Sequence, residues 1–186
     1  MRSLVLVFAG ARFGFRLLQL TTVLVLFLAG GVCGQEIIWS KTYGGLGDDG
    51  GFGGCQTSYG GYIVTGRTLS YGSSAQVYLL KTDRRGNTLW ARTYGGAGWD
   101  QGNSVRQTSD GGYIVAGWTT SFGLASQVYL IKTDSNGDTI WTRTYGATVS
   151  EEGIDVRQTR DRGYVVVGSK WIRPWTWDVY FIKTDS

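Results

Sequence analysis

The sequence predicts an all-β protein built of stacked, four-stranded antiparallel sheets. Three observations carry that prediction. Trp39, Trp90 and Trp141 recur at a step of 51 residues, and Tyr62, Tyr113 and Tyr164 keep the same step without a gap. A fixed period of this size marks a repeat architecture. Within one period, short segments rich in β-branched and aromatic residues alternate with Gly, Asn and Asp turn signals. Segments such as Val128-Tyr129-Leu130-Ile131 are apolar at consecutive positions. A strand that is apolar on both faces needs cover on both.

The central copy, residues 90–140, shows the expected elements in order. Residues 103–108 form the first strand. Ser109-Asp110-Gly111-Gly112 turns the chain, because Asp and Gly take tight-turn dihedrals at little cost. Residues 113–117 are the second strand, and a polar loop over 118–126 leads to the third, 127–133. Asp134-Ser135-Asn136-Gly137-Asp138 contains an Asn-Gly hairpin signal. The fourth strand follows over 139–145. A glycine-rich connection, such as Gly95-Gly96-Ala97-Gly98-Trp99, crosses between units. After residue 34 no segment sustains a helical period.

The first 34 residues have a different composition. They hold Arg2, Arg12 and Arg16, no acid, an apolar run over 17–28 and a small-residue exit up to Gly34. These are the parts of a secretory signal, which we expect to be helical and cleaved after Gly34. A membrane association follows only if this segment is retained or if Cys33 is lipidated. The expected domains are therefore a signal peptide, 1–34, and a repeat domain, 35–186, with copies 39–89, 90–140 and a truncated 141–186. A secreted, periplasmic or cell-surface location follows from the signal.

Without the signal, 15 basic residues face 14 acidic ones, so the whole-chain net charge of +4 belongs mostly to the export segment. A nucleic-acid partner, which needs a basic stripe on the domain itself, is not expected. The chain has no histidine, which excludes His-dependent triads and the usual zinc sites. If Cys33 leaves with the signal, Cys55 stands alone and no intrachain disulfide forms.

Small sheets that are apolar on both faces find cover by stacking on their neighbours, as blades around an axis. The tryptophan in each fourth strand can wedge against the next blade. A ring of that size buries about 150–250 Å². At ~25 cal/mol per Å² this is roughly 4–6 kcal/mol of gross stabilisation per copy. Trp39, Trp90, Trp141, Tyr62, Tyr113 and Tyr164 are accordingly expected to be structural repeat positions.

The string Y-G-G-x-G-x-D-x-G, then Q-T-S-D-G-G-Y-I-V-A-G, then V-Y-L-I-K-T-D-x-x-G-x-x-x-W resembles the repeat of bacterial and archaeal secreted β-propeller proteins. It covers residues 39–186. The resemblance implies an exported or surface-attached propeller, often joined to other modules, with no catalytic motif to carry over. The copies depart from the motif at Phe52-Gly53-Gly54-Cys55, at Tyr59 and at Ala147-Thr148-Val149.

The repeat is out of phase with the chain ends. Residues 37–43 correspond to a fourth strand, and the last copy stops after a third strand expected over 178–185. We expect either a piece of a longer reading frame or half of a two-chain, six-bladed assembly that self-associates through open blade edges.

Four features are candidates for chemistry. Asp49, Asp100 and Glu151 share one repeat position. They could ligate calcium, but with one acid per copy the expectation is a side chain that bonds loop amides. Asp134-Ser135-Asn136-Gly137-Asp138 resembles the start of a calcium loop. The first copy has Arg84 and Arg85 there, and the downstream glutamate is missing, so a hairpin turn is expected. No cofactor is expected, and Ca²⁺ is disfavoured. The segment 170–177 is expected to be a loop in which Trp171, Arg173, Trp175 and Trp177 could bind a glycan or a protein, or could cap the array. Cys55 replaces the arginine found at Arg106 and Arg157.

The functional expectation is an exported, non-catalytic binding or scaffold module. One alternative is a carbohydrate-active propeller enzyme (a glycoside hydrolase or lyase), which needs a converging pair of carboxylates. Another is a purely structural adhesin segment.

Overall fold

Eleven strands make up the computed structural model, which describes residues 37–173 and 175–186; the expected signal segment, 1–34, lies outside the described residues. The first sheet comprises β1 (Asp49–Gln56), β2 (Tyr62–Thr68), β3 (Gln76–Thr82) and β4 (Thr88–Tyr94). The second comprises β5 (Asp100–Gln107), β6 (Tyr113–Thr119), β7 (Gln127–Thr133) and β8 (Thr139–Tyr145). The third comprises β9 (Glu151–Gln158), β10 (Tyr164–Arg173) and β11 (Thr176–Lys183). Each sheet is an antiparallel meander in chain order. The described residues are all-β, a propeller-type array of two four-stranded blades and one of three strands.

The core lies between the blades. Ile63, Val77 and Leu79 of the first blade meet Val105, Tyr113, Val115, Tyr129 and Ile131 of the second. The opposite face of the second blade, Ile114, Ala116, Val128 and Leu130, meets Val156, Tyr164 and Val166 of the third. Successive strand residues point to opposite faces, so the consecutive apolar runs serve two interfaces at once. The third blade has nothing on its outer face among the described residues. Val179 and Phe181 there are 83% and 63% exposed, whereas their repeat equivalents Val128 and Leu130 are fully buried.

Several sequence-based boundaries need correction: the second strand of the central copy runs on from 117 to Thr119, and the strand expected over 178–185 is β11, Thr176–Lys183. The first strand of the central copy begins at Asp100 rather than residue 103, because a β-bulge lets it run on past Gly102. The same irregularity recurs in β1 and β9. A bulge breaks the period-two pattern that sequence reading relies on. Residues 37–43 form no strand; among the described residues no strand lies beside them to pair with. They nonetheless occupy the place of a fourth strand. Trp39 meets Tyr62 edge-on at 5.7 Å, and the Tyr43 hydroxyl donates to Gly86 O at 2.7 Å. The corresponding contacts inside the array are Trp90 on Tyr113 at 5.9 Å and Tyr94 to Gly137 O at 2.6 Å.

Candidate functional site

Of the segment expected to be a loop, residues 170–173 and 176–177 are strand. β10 runs to Arg173 and β11 starts at Thr176, so these residues form the end of a hairpin with Trp171 opposite Trp177 and Arg173 opposite Thr176. The counterpart strands β2 and β6 stop at Thr68 and Thr119. Beyond those points the first two copies carry serines whose hydroxyls bond across to the next connection: Ser74 Oγ donates to Gly98 O at 2.7 Å and Ser126 Oγ to Glu151 O at 3.2 Å. The third copy has Trp171, Ile172 and Trp177 there, and such residues favour a paired strand.

The hairpin projects its aromatic groups into solvent. Trp175 is 98% exposed and sits at φ +68°, a conformation that bulky side chains rarely adopt. Trp171 and Trp177 are 40% and 53% exposed. Arg173 is also exposed. The four residues named from sequence are therefore gathered on one short ribbon.

The shared acid position holds the crossing between blades. Asp100 is fully buried; its Oδ2 accepts from Gly96 N at 2.9 Å and Ser121 Oγ at 2.8 Å, while Oδ1 accepts from Thr119 Oγ1. Asp49 accepts from Gly45 N and Ser70 Oγ in the same way. In the third copy Lys170 and Ile172 replace the Thr and Ser donors, and the acid is Glu151. Lys170 Nζ approaches Glu151 Oε1 at 3.0 Å, a charge–charge contact rather than a well-directed hydrogen bond. Acid and donor have thus changed together within one repeat.

The Asp134 carboxylate accepts from Asn136 N at 2.8 Å and Asp138 N at 2.9 Å, closing its own turn. Asp83 does the same with Arg85 and Asn87. Cys55 is a free thiol, partly buried against the first interface.

Sequence reading missed a further repeat network. Lys132 is buried and pairs with Asp110 at 2.9 Å, and Lys183 pairs with Asp161 at 2.7 Å. In the first copy Tyr59 stands in the acid position, and buried Lys81 donates to Thr57 Oγ1 at 2.7 Å instead. Burial lowers the pKa of Lys81, partly offset by Cys55. For Asp110, burial raises the pKa, but hydrogen bonds from Thr108, Lys132 and Gly112 outweigh it and bring the carboxyl to about 2. The 51-residue step of these lysines was the available signal.

No protein-family model and no curated protein matches the chain.

Proposed function

We propose that the chain is an exported, non-catalytic binding module of the secreted propeller group that its repeat resembles, and that its ligand face is the aromatic hairpin. The observation that carries this is Trp175, a bare indole held at the hairpin tip in a backbone conformation that costs energy. Strain of that kind persists where the surroundings impose it, and it concentrates at binding sites. Trp171 and Trp177 flank it, and Arg173 adds a charged donor. Flat aromatic rings of this sort stack on the apolar faces of sugars, so a glycan is the ligand we assign. A glycan array on the purified chain should give hits that Trp175→Ala abolishes while the melting temperature holds. Unfolding of that variant would show that the ring caps the array and would sink the proposal.

A second reading, that of a structural scaffold, is favoured by the bare outer face of the third blade. Its natural occupant is the first blade of a second copy. That blade presents Tyr62, Val64, Tyr78 and Leu80, the repeat equivalents of Tyr113, Val115, Tyr129 and Ile131, which the second blade turns toward the first. Head-to-tail docking would also bring residues 37–43 to the free edge of β11. Light scattering should show association that Val179→Asp removes, and a wild-type monomer at all concentrations would rule this out. The enzyme reading has less support, because Asp49, Asp83, Asp100 and Asp134 already accept hydrogen bonds from their own loops. A polysaccharide hydrolysis screen tests it.

A further inference from the structure

Neighbouring blades enclose the same cleft twice, beside the turns that join the first and second strands of each blade. Between the first two blades it has a volume of about 440 Å³ and is lined by Tyr59, Lys81, Leu89 and Gly111. Between the second and third blades it has a volume of about 720 Å³, with Asp110, Lys132, Ile140 and Arg162 at those repeat positions. Arg160 and Trp141 line the larger cleft as well.

The larger cleft differs in charge. Its β9–β10 turn reads Thr159-Arg160-Asp161-Arg162-Gly163, where the β5–β6 turn reads Thr108-Ser109-Asp110-Gly111-Gly112. One arginine has replaced serine and the other glycine. Gly60 and Gly111 adopt φ +81° and +82°, and Arg162 is held at +65° in the same left-handed region. A side chain is disfavoured there, so the turn accepts strain to put a guanidinium on the cleft. Among the described residues neither Arg160 nor Arg162 has a carboxylate within 4.0 Å. The acids nearby are compensated, Asp110 by Lys132 and Asp161 by Lys183. The cleft thus offers two uncommitted guanidinium groups beside an apolar wall of Ile140 and Trp141.

We propose that this cleft binds an acidic saccharide. Arg162 and Arg160 hold its carboxylate or sulfate, and the sugar ring lies against Ile140 and Trp141. A planar guanidinium matches both anions with paired, charge-assisted hydrogen bonds. A cleft of several hundred Å³ suits a ligand of one or two sugar rings. The site is separate from the aromatic hairpin, and the two can fail independently.

Calorimetric titration of the full chain tests this with four probes: an oligouronate, a sulfated oligosaccharide, a neutral glucan of matched length, and inorganic sulfate. At least one acidic saccharide should bind more tightly than the glucan and than sulfate, and added salt should weaken it. Which acidic saccharide binds identifies the anion. Arg162→Gly restores the sibling residue, so its melting temperature should hold or rise while affinity falls about tenfold, the loss expected for a charge-assisted contact. Arg160→Ser, also a sibling residue, should act in the same direction, and it keeps the test open if Arg162→Gly unfolds. Trp175→Ala should leave this binding unchanged. The proposal is overturned if no acidic saccharide binds, if the glucan or sulfate binds equally well, if folded arginine variants bind like wild type, or if Trp175→Ala abolishes the binding.

Discussion

Trp90 of the first blade meets Tyr113 of the second edge-on, with ring centroids 5.9 Å apart and planes at 63°. Trp39 on Tyr62 and Trp141 on Tyr164 repeat the geometry at 5.7 and 5.9 Å. Offset or edge-on aromatic pairs add about 0.5–1.5 kcal/mol beyond the area they bury. The tryptophan also lies over the turn of the next blade. A Cβ added to Gly137, at φ +82°, would stand 2.8 Å from the Trp90 ring.

Trp90→Ala should therefore destabilise the array by about 3 kcal/mol, the lower end for removing a large aromatic, because the ring is only partly buried. Tyr94→Phe deletes the hydroxyl that donates to Gly137 O at 2.6 Å and should cost about 1 kcal/mol. Gly137→Ala combines a strained φ with a clash and should also destabilise. Denaturant unfolding of the three variants checks the set. An unchanged midpoint for Trp90→Ala would remove the docking role.

Asp100→Asn should cost about 2–3 kcal/mol. The amide would turn a donor toward Thr119, Ser121 or the Gly96 amide, each of which already donates to the buried carboxylate. The same geometry predicts that a chelator such as EDTA leaves the melting temperature unchanged. A drop on chelation, restored by calcium, would show that the acid position holds a metal.

Lys81 is the one buried lysine of its repeat position without a carboxylate partner among the described residues. Tyr59→Asp rebuilds the partner that Asp110 and Asp161 provide in the other copies, and Tyr59 gives up little, being 91% exposed. The expected gain is about 0.5–1 kcal/mol. It should appear as a rise of roughly 1–4 °C in melting temperature. A fall would mean that the Thr57 contact already satisfies the ammonium.

The 51-residue step and the doubly apolar strands made the stacked blades legible, and the third and fourth strands of the central copy fall where turn chemistry placed them. The turn-closing role of Asp134 and the crossing role of Asp100 were legible for the same reason, since short acids bond nearby amides. The aromatic hairpin was legible in composition but not in form. Sequence marked residues 170–177 as unusual, yet the pairing of Trp171 with Trp177 depends on β10 and β11 extending together. The inter-blade clefts were not legible, because each is assembled from residues of two copies. Only the aligned repeats reveal that Arg160 and Arg162 stand where serine and glycine are the rule.

Burial works against the Asp110 carboxylate, but bonds from Thr108, Lys132 and Gly112 bring its pKa to about 2. Asp161 is also near 2, chiefly through Lys183 and then Thr159. In the unfolded chain both return to the ordinary value near 3.9. Between about pH 4 and pH 2 the unfolded chain therefore takes up protons that the folded protein refuses. The stabilisation is complete above pH 4 and disappears as pH falls through 2. Asp110 is more than half exposed, so solvent screening limits its share to under about 1 kcal/mol. Asp110→Asn should melt a few degrees below wild type at pH 7, and the two proteins should converge below pH 2. Thermal melts across that range would reject the pairing if the gap stayed constant, because a cost independent of pH would come from packing rather than from the Lys132–Asp110 charge.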